Sequence, residues 1–438
     1  MKFGATTPDF GSRDALTPEI SKFMGEGRTV TILGSTGSIG TQAMDVIRHV
    51  AHLSGATVDS ADAPLKVVAL AAGTSSLQLL AEQAVETRVK LVATSGDAEA
   101  ARTLSELIAG LASAANIAYQ PHIVHGQDAA TEAARFGADV VLNGITGSIG
   151  LAPTLAALES GQQVALANKE SLIAGGRLVR AAVDSSPLEQ ALIPVDSEHS
   201  ALAQALASGT DREVDRLILT ASGGPFRGMS YEQLRDVTPK QALAHPTWDM
   251  GLVVTTNSAS MVNKALEVLE AHHLFGVDLA RIDVTVHRQS IVHSMVQFVD
   301  GSTIAQASPP TMLLPIALGL TWPHRVPGVA SSCDWSTASE WTFEPLDNKA
   351  FPAVGMIKDA GKRAGTFPAV FNAANEEAVA AFHAGTIRFT DIIDTVGKVL
   401  DEHENSEAKT EDADLTLDAV LHAEQWARAR ANEMLGHS

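Results

Sequence analysis

The chain has a single cysteine, Cys333, among its 438 residues. Disulfide bonds within the chain are therefore excluded, and so are zinc and iron–sulfur sites that depend on several thiolate ligands. Any metal ion that the protein binds must be held by carboxylates, histidines or water molecules.

Long apolar runs are also missing. The longest candidate, Met312 to Leu320, is shorter than the ~18–20 residues of a membrane-spanning helix and contains Pro315. The first 27 residues mix acidic residues with glycine and proline and lack the apolar centre of a signal peptide. We expect a mostly disordered leader over residues 1–27 and a cytoplasmic protein that does not bind membranes.

Basic residues are scarce, since 31 lysines and arginines face 51 aspartates and glutamates, for a formal net charge of −20. Such a surface repels phosphate backbones, so we expect no nucleic-acid partner. A small anionic substrate is compatible with this charge because a few lysines can hold it locally. Hydrophobic residues make up 45% of the chain, which is enough to fill more than one core.

Short apolar segments alternate with amphipathic helical patterns in the first part of the chain. This alternation predicts a parallel sheet covered by helices on both faces, and hence an α/β domain over residues 28–192. The predicted strands are residues 29–33, 66–71, 90–93, 122–124, 139–143 and 164–167.

The pattern changes at residue 193. Strand signals at residues 217–220, 282–286 and 294–299 enclose two helices and predict an α+β domain over residues 193–310. A proline-rich and then serine- and threonine-rich segment predicts a connector over residues 311–349. Residues 350–438 show only helical patterns, so we expect a helical C-terminal domain.

Three glycines, Gly34, Gly37 and Gly40, lie between the first predicted strand and the helix that follows it. Glycines in this position allow a tight turn and a close approach to a pyrophosphate, to which the helix N-terminus donates amide hydrogens. The spacing is G-x-x-G-x-x-G, whereas the usual fingerprint is G-x-G-x-x-G. A purely structural glycine turn therefore remains an alternative.

The end of the second predicted strand indicates which nucleotide binds. Folds that bind NAD commonly place an acidic residue there to hold the ribose 2′-hydroxyl group. Residues 72–76 here read Ala-Gly-Thr-Ser-Ser, which provides hydroxyl groups and no carboxylate. The sequence thus favours NADP over NAD, although no lysine or arginine is present to pair with the 2′-phosphate.

Asp196 and Glu198 are carboxylates two positions apart in the segment Pro-Val-Asp-Ser-Glu-His. In an extended chain they project to the same side, which suits the chelation of a hard cation such as Mg²⁺ or Mn²⁺. The alternative is a solvated acidic edge. Lys169 follows an apolar strand, and ligands of doubly wound parallel sheets bind at this end of the strands. The alternative is a solvated lysine that opens a helix.

A predicted helix near residue 260 carries further candidates. Asn263 and Glu267 are i,i+4 neighbours on one face, Lys264 is adjacent, and Ser258 precedes the helix. Together they can hold a phosphate and a metal ion, or they form an ordinary exposed helix. Residues 222–225 offer a hydroxyl group and exposed amides for a ligand, or they are simply a turn. Residues 245–251 carry a histidine and a tryptophan, either in a lid or as a buried aromatic anchor.

Eight segments of the chain, taken in order, resemble the 1-deoxy-D-xylulose 5-phosphate reductoisomerase family of the non-mevalonate isoprenoid pathway. Each segment alone is a weak signal, but the ordered set is specific and spans about residue 28 to the end. The segments are residues 34–40 (GSTGSIG), 165–172 (ALANKESL), 194–199 (PVDSEH), 222–226 (SGGPF), 245–251 (HPTWDMG), 263–267 (NKALE), 289–296 (QSIVHSMV) and 372–376 (NAANE).

This resemblance implies an N-terminal Rossmann-like NADP-binding domain, a central catalytic domain that also forms a homodimer, and a C-terminal helical domain. It implies an oxidoreductase that rearranges the sugar phosphate 1-deoxy-D-xylulose 5-phosphate and reduces it with NADPH to 2-C-methyl-D-erythritol 4-phosphate. A divalent cation, Mg²⁺ or Mn²⁺, is implied as the second cofactor.

The resemblance also assigns roles to individual residues of this chain. The NADPH contacts that it implies are Thr36, Gly37, Ser38, Ile39, Gly73, Thr74, Ser75, Asn168, Glu170 and Gly251. The implied metal ligands are Asp196, Glu198 and Glu267, which with Lys169 make up the implied catalytic set. Thr74 departs from the family pattern, which commonly has lysine or arginine at that position.

The implied substrate contacts fall into three groups. Lys169, Ser197, Glu198 and Glu267 contact the reacting part of the substrate, whereas Ser222, Ser258, Asn263 and Lys264 hold its phosphate. His245, Trp248 and Met250 belong to a mobile flap, and Met312 packs near the substrate.

Two other functions share some of these features. A semialdehyde or homoserine-type dehydrogenase uses the same nucleotide fold, but the semialdehyde class needs a cysteine nucleophile and Cys333 lies in the predicted connector. A catalytically silent NADP-binding regulator is the second alternative, and the complete carboxylate set argues against it.

Overall fold

The computed structural model describes residues 15–25, 27–244 and 251–436. The contacts within the chain divide it into two compact units. The first unit comprises the chain up to Gly144, Gln162–Ala165 and Met312–Ser331, and the second comprises Ile145–Gly161, Leu166–Thr311 and the chain from Ser332 onward. Among the described helices, none is long and apolar enough to cross a membrane.

The described part of the chain contains both parallel and antiparallel strands. The strands are β1 (Arg28–Leu33), β2 (Leu65–Ala72), β3 (Leu91–Thr94), β4 (His122–His125), β5 (Val140–Asn143), β6 (Gln163–Leu166), β7 (Leu192–Pro194), β8 (Val214–Ala221), β9 (Ile282–Val286), β10 (Val292–Phe298), β11 (Thr303–Ala307) and β12 (Glu344–Pro345).

Helices cover more of the chain than strands do. They are α1 (Pro18–Met24), α2 (Ser38–Leu53), α3 (Leu77–Thr87), α4 (Ala98–Ala114), α5 (Ala129–Ala134), α6 (Leu151–Glu159), α7 (Glu170–Asp184), α8 (Ser197–Leu206), α9 (Tyr231–Leu234), α10 (Pro239–Ala242), α11 (Leu252–Ala259), α12 (Val262–Phe275), α13 (Leu313–Thr321), α14 (Ala353–Arg363), α15 (Phe367–His383), α16 (Phe389–His403) and α17 (Leu417–Leu435).

The α/β fold predicted from the sequence is confirmed. A seven-stranded sheet has the order β4-β3-β2-β1-β5-β6-β7, and the β1–β2, β1–β5, β2–β3 and β3–β4 pairs are parallel. The six strands predicted for this region each overlap one of β1 to β6. The strand order changes direction at β1, which lies between β2 and β5, and the carboxyl end of such a strand is where doubly wound sheets bind ligands.

The turn between β1 and α2 requires its glycines. Gly34 has a φ of +79°, in the region that side chains rarely adopt. A Cβ atom on Gly40 would lie 2.4 Å from the carbonyl oxygen of Gly34. The helix therefore starts close against the loop, which brings the backbone amides of its first turn next to the carboxyl end of β1.

Two segments, the predicted disordered leader and the predicted connector, contain helices that the sequence analysis did not predict. The prediction of a disordered leader is wrong over α1, where Thr17 caps the helix and Ile20 and Met24 are buried. The predicted connector begins with α13, whose residues from Pro315 to Thr321 are buried. In both cases apolar residues at helical spacing find a surface to pack on, and local composition does not reveal that surface.

The second unit contains a five-stranded mixed sheet of order β11-β10-β8-β9-β12. Strand β10 is antiparallel to β8 and β11, and β8 is parallel to β9. The predicted strands at residues 217–220, 282–286 and 294–299 overlap β8, β9 and β10, whereas the exposed edge strand β11 was not predicted. Helices α14 to α17 form the C-terminal region, and their apolar faces share one core with α12 and the sheet.

Helix α17 carries a buried carboxylate. Glu424 is 4% exposed, and its Oε2 atom accepts a hydrogen bond of 2.7 Å from the Ser148 hydroxyl, while its Oε1 atom is buried without a hydrogen-bond partner among the described residues. Burial raises the pKa of Glu424 to about 7, although the Ser148 bond and Arg428 act in the opposite direction. The folded protein therefore holds this side chain in its neutral form more readily than the unfolded chain does.

A Glu424→Gln substitution should make the stability of the protein less dependent on pH. The pKa of Glu424 is raised from 4.5 to about 7 in the folded protein. Ionisation of this group therefore destabilises the folded state increasingly as the pH rises from 4.5 to about 7, and the full effect persists at higher pH. We expect Glu424→Gln to gain up to roughly 3 kcal/mol in unfolding free energy near pH 8 and little near pH 5. Denaturant unfolding at the two pH values measures this difference.

The exposed Glu407 provides the matched control, since Glu407→Gln should change the unfolding free energy little at either pH. An equal effect of Glu424→Gln at both pH values would contradict the assignment of a raised pKa.

Candidate active site

The ends of two neighbouring strands place the first site residues. Lys169 follows β6 and precedes α7, and Asp196 follows β7 and caps α8, where its Oδ1 accepts a 3.1 Å hydrogen bond from the Glu198 amide. The amide of Val195 donates to the carbonyl oxygen of Leu166 at 2.9 Å, which holds the two strand ends side by side. The sheet-edge position predicted for Lys169 agrees with this pairing. The extended chain assumed for Asp196 and Glu198 is wrong, because Asp196 caps α8 and Glu198 lies in its first turn.

Three carboxylates converge next to this edge. One oxygen atom from each of Asp196, Glu198 and Glu267 lies within 4.8 Å of the others. The side chains of Asp196 and Glu198 are 11% and 18% exposed, and that of Glu267, on α12, is 2% exposed. An all-oxygen donor set that solvent can still reach suits a hard divalent cation, which keeps some positions for water or substrate. The donor chemistry of these residues therefore fits Mg²⁺ or Mn²⁺.

Two lysines, the half-buried Lys169 and the buried Lys264, lie among the carboxylates. The Lys169 ammonium lies 3.1 Å from Asp196 Oδ2 and 3.2 Å from Glu267 Oε1, and it donates to Asn263 Oδ1 at 2.9 Å. The Lys264 ammonium lies 3.3 Å from Glu198 Oε1 and also pairs with Glu267. Buried carboxylates are stable only when they are paired, so these contacts explain how the cluster forms within the protein.

The cluster shifts the pKa values of its members in different directions. Burial opposes the ionisation of Asp196, but Lys169 and His199 outweigh it and hold the pKa of this carboxyl group well below its usual value. Burial raises the pKa of Glu198 to about 7. The positive charge of Lys264 opposes this rise, whereas the negative charges of Glu267 and Asp196 add to it. Burial also disfavours the charged form of Lys169, yet Asp196 and Glu267 raise its pKa well above the ordinary range.

Two of the segments expected to bind the substrate phosphate, the loop after β8 and the end of α11, lie against each other. Gly224, two residues after Ser222, has a φ of +63°, and a Cβ atom there would lie 2.9 Å from the carbonyl oxygen of Ser258. The loop that carries Ser222 therefore touches the end of α11. Lys264 is engaged with carboxylates in this structure, so its phosphate contact remains a prediction.

Six further residues were predicted to belong to the site, and the structure describes three of them. His245, Trp248 and Met250 lie outside the described residues. Gly251 caps α11, and Ser197 is buried at the start of α8, where its hydroxyl donates to Glu198 Oε2 at 2.6 Å. Met312 caps α13 in the first unit.

The predicted pyrophosphate loop has the form that such a ligand needs. Gly37 is in extended backbone conformation and precedes the first turn of α2, which contains no acidic residue. Gly37 and Ser38 are exposed, and Thr36 and Ile39 are half-buried. At the end of β2, Gly73, Thr74 and Ser75 are also exposed. Helix amides and hydroxyl groups without a nearby acidic side chain on these segments suit phosphate groups.

Asn168 has structural contacts that the sequence did not indicate. It is buried, and its amide nitrogen donates to the carbonyl oxygens of Ile145 and Gly147 at 2.8 and 2.9 Å and to Glu170 Oε2 at 2.9 Å. A Cβ atom on Gly150 would lie 2.5 Å from Asn168 Oδ1. Asn168 therefore holds the turn at residues 146–150, and the NADPH contacts of Asn168 and Glu170 remain predictions.

Two buried residues beside the carboxylates were missed by the sequence analysis. His199 Nδ1 lies 3.2 Å from Asp196 Oδ1 and 3.3 Å from Glu270 Oε2. His199 Nε2 lies 2.8 Å from the main-chain oxygen of Glu267. The signals available were the histidine directly after Glu198 and the i,i+3 spacing of Glu270 from Glu267 on α12.

Three family profiles match this chain. The profile of 1-deoxy-D-xylulose 5-phosphate reductoisomerase matches residues 30–176, that of its C-terminal domain matches residues 192–275, and a second C-terminal domain profile matches residues 307–430. The protein of that name from Arthrobacter sp. (strain FB24) is 63% identical over 413 residues, which are 94% of this chain and 99% of the relative. The one from Kitasatospora griseola is 55% identical over 405 residues, 92% of this chain and 99% of the relative.

Solved structures give the same result. The reductoisomerase from Zymomonas mobilis in complex with NADPH is 38% identical, covers 93% of this chain and 99% of its own, and has a TM-score of 0.81. A reductoisomerase in complex with NADPH, fosmidomycin and magnesium is 31% identical, covers 93% of this chain and 98% of its own, and also has a TM-score of 0.81. The chain therefore belongs to the 1-deoxy-D-xylulose 5-phosphate reductoisomerase family.

Proposed function

We propose that this protein converts 1-deoxy-D-xylulose 5-phosphate to 2-C-methyl-D-erythritol 4-phosphate with NADPH, and that the reaction takes place at the carboxylate cluster. The observation that carries this proposal is the meeting of Asp196, Glu198 and Glu267 beside Lys169 in a chain of this family. The product is a precursor in non-mevalonate isoprenoid synthesis.

Asp196, Glu198 and Glu267 are the residues that would hold the divalent cation, which relatives bind as magnesium. A bound Mg²⁺ supplies Lewis-acid stabilisation of negative charge on substrate oxygens and a template for their orientation. Because the donor atoms are all carboxylate oxygens, we extend the proposal to Mn²⁺, which accepts the same ligands.

Lys169 acts as a cationic hydrogen-bond donor. Its ammonium lies within 3.2 Å of both Asp196 and Glu267, and these carboxylates keep its pKa well above the ordinary range. Lys169 donates a hydrogen bond to a substrate oxygen on which negative charge develops, and it holds that oxygen next to the carboxylates.

Ser222, Ser258, Asn263 and Lys264 are proposed to bind the substrate phosphate. Binding at a group remote from the reacting carbons supplies energy for orientation of the substrate. Lys264 shares its ammonium between Glu198 and Glu267 in the structure, so a phosphate must compete with these carboxylates for it. This competition makes the phosphate pocket and the carboxylate cluster depend on each other.

The loop between β1 and α2 is proposed to bind the NADPH pyrophosphate through Thr36, Gly37, Ser38 and Ile39. Gly73, Thr74 and Ser75 then receive the adenosine 2′-phosphate, where the absence of a carboxylate from residues 72–76 favours NADPH. Asn168, Glu170 and Gly251 are the further NADPH contacts in this proposal, with Met312, His245 and Trp248 on the substrate side.

A direct assay tests the proposed reaction and the role of Glu267 together. The wild-type protein should oxidise NADPH only when 1-deoxy-D-xylulose 5-phosphate and Mg²⁺ are both present, and nuclear magnetic resonance should identify the product. Glu267→Gln should lower turnover roughly 10²- to 10³-fold because a stabilising charge next to the reacting oxygens is lost.

The same variant should keep its circular dichroism spectrum and its affinity for NADPH. The exposed Glu433 on α17 offers the control Glu433→Gln, which should turn over like the wild type. Full turnover of Glu267→Gln at saturating Mg²⁺ would show that Glu267 does not act as proposed.

A Thr74→Asp substitution tests the proposed position of the 2′-phosphate. An added carboxylate at the exposed end of β2 repels that phosphate, so KM for NADPH should rise roughly 10-fold or more while KM for NADH does not rise. Steady-state kinetics with both nucleotides measure the two values. The exposed Thr103 on α4 provides the control, because Thr103→Asp adds the same charge and should leave both KM values unchanged; an equal rise with NADH would place the phosphate elsewhere.

We further propose that the protein functions as a homodimer in the cytoplasm. This proposal rests on the family resemblance and on the absence of a membrane-spanning helix among the described residues. Light scattering coupled to size exclusion should give a mass of twice the 45.8 kDa of one chain. A mass equal to one chain at micromolar concentration would contradict a stable dimer.

A further inference from the structure

We propose that Glu270 is a positioning residue that acts through His199 to fix the separation of the metal-binding carboxylates Asp196 and Glu267. The inference rests on the proposed metal site and adds to it a residue that does not itself bind the cation. It starts from burial, since His199 is 0% and Glu270 1% exposed. A carboxylate in such a place is unfavourable unless a partner compensates its charge.

The His199 ring connects both metal-bearing segments of the chain. Its Nε2 atom lies 2.8 Å from the main-chain oxygen of Glu267, and this oxygen only accepts, so Nε2 carries a hydrogen and donates it. Its Nδ1 atom then points toward Asp196 Oδ1 at 3.2 Å. One ring thus spans from the start of α8 to the middle of α12.

Glu270 determines how this ring is held. Its Oε2 atom lies 3.3 Å from His199 Nδ1, on the side of the ring that also faces Asp196. Neither Nδ1 nor Oε2 makes a hydrogen bond of good geometry among the described residues, so each depends on the electrostatic contact with the other and with Asp196. Removal of the Glu270 charge therefore leaves the Nδ1 side of the ring with Asp196 as its remaining charged contact, while the Nε2 hydrogen bond to Glu267 stays in place. The ring, and with it Asp196, is then held less firmly on that side.

Asp196, His199 and Glu270 could also bind a cation themselves, since one donor atom of each lies within 4.8 Å of the others. Accessibility argues for the positioning role. His199 and Glu270 have almost no exposed surface, whereas Asp196 and Glu198 keep 11% and 18%. A cation between His199 and Glu270 would lack the water or substrate ligands that Mg²⁺ retains in proteins.

The test measures Mn²⁺ binding to the nucleotide-free protein by electron paramagnetic resonance, so that the readout does not depend on turnover. Glu270→Gln keeps the size of the side chain and removes its charge. Loss of a group that orients a metal ligand typically weakens metal affinity, and we expect the Mn²⁺ Kd to rise roughly 10- to 100-fold. The substrate-dependent kcat should fall while KM for NADPH stays unchanged.

A double-mutant cycle distinguishes action through His199 from a general loss of structure. If Glu270 acts through the ring, Glu270→Gln should weaken Mn²⁺ binding little further in a chain that already carries His199→Gln. The control is Glu424→Gln, another buried carboxylate in the same unit, which should bind Mn²⁺ as the wild type does. If Glu270→Gln does not fold, Glu270→Asp, which keeps the charge on a shorter side chain, takes its place in the cycle.

Three results would overturn the inference. The first is a Glu270→Gln variant that binds Mn²⁺ as tightly as the wild type. The second is an equal loss of Mn²⁺ affinity from Glu270→Gln in the wild-type chain and in the chain that carries His199→Gln. The third is a second Mn²⁺ ion per chain that is lost when Glu270 is replaced. Failure of the proposed metal site gives a different result. In that case the Asp196→Asn variant would bind Mn²⁺ as the wild type does.

Discussion

The fold brings several carboxylates to one place, and the site depends on how the repulsion between their negative charges is offset. Two negative charges about 4 Å apart near a protein surface repel each other by roughly 4 kcal/mol, and oxygens of Asp196, Glu198 and Glu267 lie within 4.8 Å of one another. Lys169 and Lys264 lie between them and neutralise part of this charge. Helices α8 and α12 can therefore pack closely only because cations, from the protein or from solution, occupy the space between their carboxylates.

The sheet explains how residues that are far apart in sequence meet. Strands β6 and β7 end side by side, so the residues that follow them, Lys169 and Asp196, emerge at the same edge. Helix α12 comes from a later part of the chain and contributes Asn263, Lys264 and Glu267 through one of its faces. Rigid elements on both sides leave the side chains little freedom, which is the condition for a preorganised electrostatic site.

Much of this arrangement was predictable from local sequence. The strands β1 to β6 are apolar segments between turn signals, and the i,i+2 spacing of Asp196 and Glu198 indicates a pair of carboxylates that can bind one cation. The contacts of His199 with Glu270 were not predictable, because they depend on how α8 and α12 dock and not on the pattern of either helix. The pairing of Lys264 with Glu198 was missed for the same reason, and helix α1 was missed because its packing surface is distant in sequence.

The repeated sequence Thr-Gly-Ser-Ile-Gly shows why a motif alone does not determine a function. At residues 36–40, Gly37 has an extended backbone and directly precedes the long helix α2. The first amides of this helix lie next to the carboxyl end of β1. At residues 146–150 the corresponding Gly147 has a φ of +84° and begins a short 3₁₀ turn. Asn168 donates a hydrogen bond to the carbonyl oxygen of Gly147 in this second copy, and Glu424 accepts a hydrogen bond from its serine. Side chains of the protein thus occupy a carbonyl oxygen and the serine hydroxyl of the second copy, whereas the first copy opens a helix whose first turn holds no acidic residue, so the same five residues stand in different surroundings.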